Sequence, residues 1–211
     1  MTLVVSELEV WRGDYCVCAG WNVRMEAGQA LRLRGGNGAG KTSLIRIFAG
    51  LALPESGQVR YGEAGHSPRA AAYREDLRYV AHRDGIKREL GARENLRLSA
   101  RLMADSQPDA VDGALERVGL GAFATRLAGE LSAGQRRRLA LARVLLGQAR
   151  LWLLDEPLVS LDQSGVALVE TLVREHLSAG GMAIIATHQP LALEGLDVLN
   201  ADLPLAATHV R

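Results

Sequence analysis

The hydrophobic pattern divides the chain into a strand-rich beginning, a helical middle and an end in which strands and helices alternate. Residues 3 to 34 read as short strands split by Gly13, Gly20 and Gly28. The last, Ala30-Leu31-Arg32-Leu33-Arg34, alternates strictly, as a half-buried strand does. A glycine-rich loop follows and opens a helix from about Lys41 to Gly50. Pro54, Ser56 and Gly57 mark a turn ahead of a strand at Gln58 to Tyr61. Residues 62 to 76, rich in Ala, Gly and Arg, fix no element, and Asp76 to His82 reads as a strand. From Arg83 to Gly147 the pattern is helical. Glu94 to Met103 and Asp109 to Val118 form two helices, Gly119 and Gly121 break the chain, and a third helix runs from Ser132 to Leu146. On it Leu139, Ala142, Arg143 and Leu146 fall on one mostly apolar face. Leu151-Trp152-Leu153-Leu154 is a continuous apolar run typical of a central parallel strand. A helix at about 164 to 178 and a buried strand at Met182 to Thr187 follow. From 196 on, only two short apolar pieces stand out.

The composition narrows the class. The chain has 211 residues, enough for one well-buried core. Hydrophobic residues at 48% and charged residues at 23% are ordinary globular values and argue against disorder. A net charge of +1 gives no bias toward nucleic acid or anionic lipid, and with aromatics at 4% no stacking platform for bases is expected. Cys16 and Cys18, spaced to share a strand face, read as small buried side chains rather than a metal or redox pair. Nothing suggests a disulfide framework, which fits a reducing compartment. Met1 to Val5 lacks a basic segment and a cleavage site, so no signal peptide is expected. No apolar run approaches the roughly 20 residues that span a bilayer. Service to a membrane process would therefore mean docking onto another chain.

Two segments carry chemistry. Gly35-Gly36-Asn37-Gly38-Ala39-Gly40-Lys41-Thr42, with Ser43 after it, fits the P-loop pattern G-x-x-x-x-G-K-[ST] without a mismatch, between a strand and a helix. Glycines let successive backbone N–H groups turn toward phosphate oxygens, and the helix N-terminus adds positive partial charge. Lys41 would reach the β- and γ-phosphates, and the Thr42 hydroxyl would serve Mg²⁺, a hard cation. The plain alternative is a glycine-rich turn. Second, Leu154-Asp155-Glu156 puts two carboxylates at the carboxyl end of a buried strand, where open α/β sheets bind ligands. Asp155 would hold Mg²⁺ and Glu156 would orient and polarise the attacking water. The alternative is that both only solvate a strand end before Pro157.

Leu131-Ser132-Ala133-Gly134-Gln135 resembles the signature LSGGQ of the ABC ATPase family, with Ala133 at its first glycine and Gln135 lying 20 residues before Asp155. Ser160-Leu161-Asp162 resembles the family's D-loop, and His188 its H-switch. Taken singly, Ser132 has the simpler reading of a helix N-cap, Asp162 that of a helix-start residue because Ser160 and Gln163 resemble a capping box, and His188 that of a strand-end histidine. The ordered set implies an α/β P-loop NTPase cassette over residues 1–211: a RecA-like, mostly parallel sheet, an antiparallel β-subdomain, and an inserted helical subdomain at about 83–147. It further implies ATP and Mg²⁺ as ligands and a homodimer. In that dimer Ser132, Gly134 and Gln135 of one copy close on the γ-phosphate held by Lys41 of the other, with Glu156 and His188 catalytic. Two positions depart from the family. His82 stands at the Q-loop glutamine, and Arg12 stands near the adenine-stacking aromatic, leaving Trp11 or Tyr15 to serve.

His82-Arg83-Asp84-Gly85-Ile86-Lys87-Arg88-Glu89-Leu90, then Glu94-Asn95-Leu96, and Thr187-His188-Gln189 are similar to the CcmA family, the haem-exporter ATPases of cytochrome c maturation. Ala81 stands where that family has Gly, and Arg83-Asp84 replace its Gln-Pro. The resemblance implies a peripheral subunit on the cytoplasmic face of a bacterial inner membrane, with a CcmB-like integral membrane partner docking at 82–90. Further maturation proteins would join, and the subunit would bind no nucleic acid. It would power haem export or release of a haem-loaded chaperone. Three other readings stay open: another transporter's ATPase, a soluble ABC ATPase, and a nucleotide-binding module without turnover.

Overall fold

The computed structural model describes residues 1–103 and 110–203. Two sheets are built first. Strands β1 (Thr2–Arg12), β2 (Tyr15–Glu26) and β4 (Ser56–Tyr61) make an antiparallel sheet in the order β2-β1-β4. Strands β3 (Ala30–Arg34), β5 (Leu77–Val80), β6 (Leu151–Asp155), β7 (Met182–Ala186) and β8 (Val198–Asp202) make a parallel sheet in the order β5-β6-β7-β3-β8. The helices are α1 (Lys41–Phe48), α2 (Ala71–Glu75), α3 (Ala92–Arg101), α4 (Ala110–Arg117), α5 (Ala133–Ala142) and α6 (Gln163–Ser178). Asp109, the expected start of α4, lies outside the described residues.

The side-chain alternation explains the layering. Leu31, Leu33, Leu151, Leu153 and Ile184 join Phe48 and the inner face of the antiparallel sheet in one core. Ala30, Trp152, Leu154, Ala183 and Ile185 point to the opposite face and meet Val173 and Leu177 of α6. The apolar run at 151–154 is continuous because β6 is covered on both sides. A third core, from Ala92 through Leu115 and Leu131 to Leu146, belongs to α3, α4 and α5.

The structure corrects several sequence expectations. Gly20 does not end a strand. It sits inside β2 with φ +61, where the register slips between Leu8↔Trp21 and Val10↔Cys18, so a bulge bends the strand without ending it. Residues 62–76 contain α2, which owes its place to tertiary contact. Tyr73 is fully buried, donates its hydroxyl to the Phe48 carbonyl at 2.5 Å and packs edge-on to Tyr61. The third helix stops at Ala142 and continues as a 3-10 turn, Arg143–Leu145. The tail contributes β8 as an edge strand beside β3. Cys16 and Cys18 are free thiols flanking a second bulge at Val17. Burial, with Cys16 nearby, pushes the Cys18 thiol up to about 12.

Gly57 shows how tightly the antiparallel sheet is closed. Its φ is +82, and a Cβ there would sit inside contact distance of the Glu7 carbonyl on β1. Gly57→Ala combines left-handed strain with a backbone clash, so a loss of roughly 2 kcal/mol is expected. A thermal melt should show it as a drop of about 4–8 °C; an unchanged melting temperature would contradict the packing described.

Candidate functional site

The glycine-rich loop leaves the carboxyl end of β3 and enters α1, flanked by β7 on one side and β8 on the other. Gly40 is the N-cap of α1 with φ 95, and any Cβ there would overlap the Val17 side chain of β2. The antiparallel sheet thus presses on the loop and demands glycine. Lys41 opens the helix only 6% exposed. Its ammonium donates to the carbonyls of Gly35 at 2.8 Å and Gly36 at 3.2 Å, and lies 3.3 Å from Glu156 Oε1.

Strand β6 delivers the acidic pair. Asp155 is fully buried, and its Oδ1 accepts a hydrogen bond from the Thr42 hydroxyl at 3.1 Å. Its Oδ2 is buried without a partner. Burial pushes the carboxyl above the usual carboxylate range, against the Thr42 hydrogen bond and the charges of His82 and Arg137. A buried carboxylate oxygen lacking a donor, beside a hydroxyl, is a donor set that fits a hard divalent cation. Glu156 follows in a left-handed conformation, φ 50, with its N–H bonded to Ala186 O at 2.7 Å. That turn swings its carboxylate between Lys41 and His188, whose Nδ1 lies 2.8 Å from Oε2.

Asn37 to Ser43, with Lys41 and Thr42 among them, line one cleft of about 350 Å³ together with Glu156, His82, Arg12 and Arg46, a size suited to a small ligand; Asp155 and His188 adjoin it through Thr42 and Glu156. His82 follows β5, the neighbour of β6, and reaches the cleft from that side. Of the three residues near the expected base position, Arg12 lines the cleft. Trp11 gives its indole N–H to Glu9 at 2.7 Å, and Tyr15 packs on the core.

Leu131–Gln135 lies apart from this cleft. Ser132 caps α5: its Oγ accepts from the Gln135 N–H at 3.1 Å, and the Gln135 side chain accepts from the Ser132 N–H at 2.9 Å. Ser132 and Ala133 are exposed, and Leu131 is anchored in the helical core. A Cβ on Gly134 would come within 2.8 Å of the Ser160 carbonyl, so this helix start rests on the 157–162 loop. Asp162 caps α6 through the Gly165 N–H, and that bond, with Ser164 and Arg138, holds its carboxyl below the usual range. The Ser160/Gln163 capping box does not form, because Ser160 is itself left-handed, φ 65.

The 82–91 segment has its own logic. Asn95, 5% exposed, accepts from the Lys87 N–H and donates to the carbonyls of Lys87, Leu90 and Gly91. Glu94 closes the start of α3 on the Gly91 N–H. The Glu94-Asn95-Leu96 triplet therefore fixes the loop that follows His82. Sequence reading placed Arg12 near the base position but missed Arg46 and Arg137. Only the three-arginine run at 136–138 was visible, and nothing in it marked the middle residue as buried.

Residues 18–159 match the family described as ABC transporter. The cytochrome c biogenesis ATP-binding export protein CcmA of Methylococcus capsulatus is 44% identical over 194 residues, 92% of this chain and 94% of that protein. The protein of the same name from Rhodobacter capsulatus is 46% identical over 198 residues, 94% of this chain and 86% of that one. Among solved structures, a putative ABC transporter ATP-binding protein from Pyrococcus furiosus superposes with a TM-score of 0.82 at 26% identity, covering 96% of this chain and 98% of that one. The strand order, the helical insertion and the glycine loop are therefore those of an ATP-binding cassette. The chain belongs to the ABC transporter family, as an ATP-binding, ATP-hydrolysing subunit, and within it to the CcmA cytochrome c biogenesis ATP-binding export proteins.

Proposed function

We propose that the chain is the MgATP-hydrolysing subunit of a CcmAB-type membrane complex of c-type cytochrome biogenesis, powering haem export or release of a haem-loaded chaperone. The observation that carries the hydrolytic part is the Glu156 carboxylate, held between Lys41 and His188 at the mouth of the glycine loop. Relatives at 44–46% identity over nearly the whole chain support the biological role.

The chemistry follows from the residues. Backbone N–H groups of Gly36 to Thr42 and the Lys41 ammonium bind the β- and γ-phosphates. Thr42 and Asp155 hold Mg²⁺, which when bound neutralises phosphate charge. Glu156 accepts a hydrogen bond from the attacking water and draws its proton away as the oxygen approaches phosphorus. His188 fixes the Glu156 carboxylate and faces the same phosphate. His82 takes the place of the Q-loop glutamine beside Asp155, and Arg12 offers a guanidinium face where an aromatic ring stacks on adenine elsewhere in the family.

The exposed Ser132 and Ala133 at the start of α5 leave the signature free to meet a second copy. We read the working unit as a homodimer with ATP clamped between the glycine loop of one protomer and Leu131–Gln135 of the other. Asp162 and Ser160 sit beside that contact. Among the described residues no helix is long and apolar enough to cross a membrane. The subunit would sit peripherally on the cytoplasmic face of a bacterial inner membrane, bound to a CcmB-like partner through the 82–90 segment.

Affinity purification from the native membrane should recover a CcmB-like integral protein, and deletion of the chain should remove c-type cytochromes. Normal cytochrome c levels in the deletion strain would refute the haem role while leaving the ATPase intact.

A further inference from the structure

Arg137 is a charged side chain, 2% exposed, with no place in the chemistry above. A guanidinium has five N–H donors in a rigid planar fork. In this structure each finds an acceptor. Nε donates to Pro157 O at 3.3 Å. Nη1 donates to Ala81 O and to Asp84 Oδ1, both at 2.9 Å. Nη2 donates to Asp155 O and Glu156 O, both at 2.8 Å.

The acceptors have a common property. The carbonyls of Asp155, Glu156 and Pro157 lie where β6 leaves the sheet, and Ala81 is the residue after β5 and before His82. Strand pairing no longer supplies donors there, and buried carbonyls need them. Glu156 also sits in a left-handed conformation that a non-glycine residue holds only when its surroundings impose it. Packing alone does not require an arginine, because an apolar side chain fills such a space without desolvating a charge. What the position requires is a fork of donors, and it comes from the fifth residue of α5, little more than one turn beyond the Ser132 cap and the signature at the start of that helix.

We propose that Arg137 is a positioning residue. Its guanidinium holds the Asp155–Pro157 turn, and so the Glu156 carboxylate, in reacting geometry, and it ties that turn and the His82 loop to the signature helix. This rests on the ATPase reading. In a dimer, the start of α5 senses the ATP of the partner protomer, while Glu156 acts on the ATP of its own. Arg137 then joins the two sites within one chain as a rigid link of about one side-chain length.

The full-length chain would be purified as wild type, Arg137→Gln and Arg137→Lys. Steady-state hydrolysis of MgATP, titration with a fluorescent ATP analogue and thermal melting would be measured on each. In Arg137→Gln, kcat should fall by about 10- to 100-fold, the loss expected when a catalytic group is misplaced by an ångström or less. Nucleotide affinity should stay within about threefold, because the phosphate loop is untouched. Arg137→Lys, which keeps the charge and part of the fork, should fall between the two. A folded Arg137→Gln with kcat within about twofold of wild type would overturn the proposal, as would kcat and nucleotide affinity falling together. If Arg137→Gln does not fold, Arg137→Lys decides, and wild-type kcat in that variant overturns it. Wild-type protein that hydrolyses no ATP would sink the underlying ATPase reading instead.

Discussion

Glu156→Gln is expected to lower ATP turnover by about 10²- to 10³-fold, in line with removal of a group that assists proton transfer in the transition state. The substitution keeps the size of the side chain and changes its charge. The amide cannot draw a proton from water, it loses the ionic contact with Lys41 at 3.3 Å, and it changes the hydrogen bond with His188 at 2.8 Å. ATP binding should survive, since the phosphate contacts belong to the loop and Lys41. With binding intact and hydrolysis blocked, the nucleotide stays between two protomers, and the variant should accumulate as an ATP-dependent dimer. Size-exclusion chromatography at saturating ATP reads this directly. A persistent monomer would count heavily against the two-protomer site, and near-normal turnover would remove Glu156 from the chemistry.

The second large effect concerns Lys41→Ala, which should reduce hydrolysis to background and weaken nucleotide binding at least about tenfold, the scale of a lost charge-assisted contact. The ammonium is the cation the cleft offers from the start of α1, and its position is set by the Gly35 and Gly36 carbonyls. Removing it also leaves Glu156, 7% exposed, without its nearest cation. A buried carboxylate in that position is costly, so part of the effect comes from disorder of the Glu156 turn. A phosphate-release assay with parallel nucleotide titration separates the two contributions. Unchanged turnover would end the P-loop assignment.

The two variants act on one ion pair from opposite sides and should not be additive. In Lys41→Ala/Glu156→Gln, turnover should be no lower than in the worse single variant, because either change alone already dismantles the arrangement.

Much of this was legible in the chain before any coordinates. The glycine loop declares itself because its function needs backbone N–H groups without side chains in the way, and only glycine at fixed spacing supplies that. Gly40 makes the point in three dimensions, since Val17 occupies the space a Cβ would need. Strand β6 was readable because burial on both faces forces a continuous apolar run ending in Asp155 and Glu156. The helices of the middle region were readable from their period, to within a turn at the ends.

Other features are set by contacts distant in sequence, and a local pattern carries no trace of them. Helix α2 exists because Tyr73 fits between Phe48 and Tyr61. Strand β8 is a mixed-polarity edge that takes shape only beside β3. Beside the expected base position it is Arg12 that lines the cleft, while Trp11 is turned toward Glu9 and Tyr15 packs on the core.

The sequence by itself determined the reaction class, because phosphate chemistry restricts residue type and spacing so severely that order along the chain is enough. Only the tertiary structure decided how the reacting groups are held. The partnerless oxygen of Asp155, the left-handed turn of Glu156 between Lys41 and His188, and the five-fold grip of Arg137 arise where separate strands and a helix converge. Burial and hydrogen-bond completeness are properties of that convergence, and no stretch of the chain contains them alone.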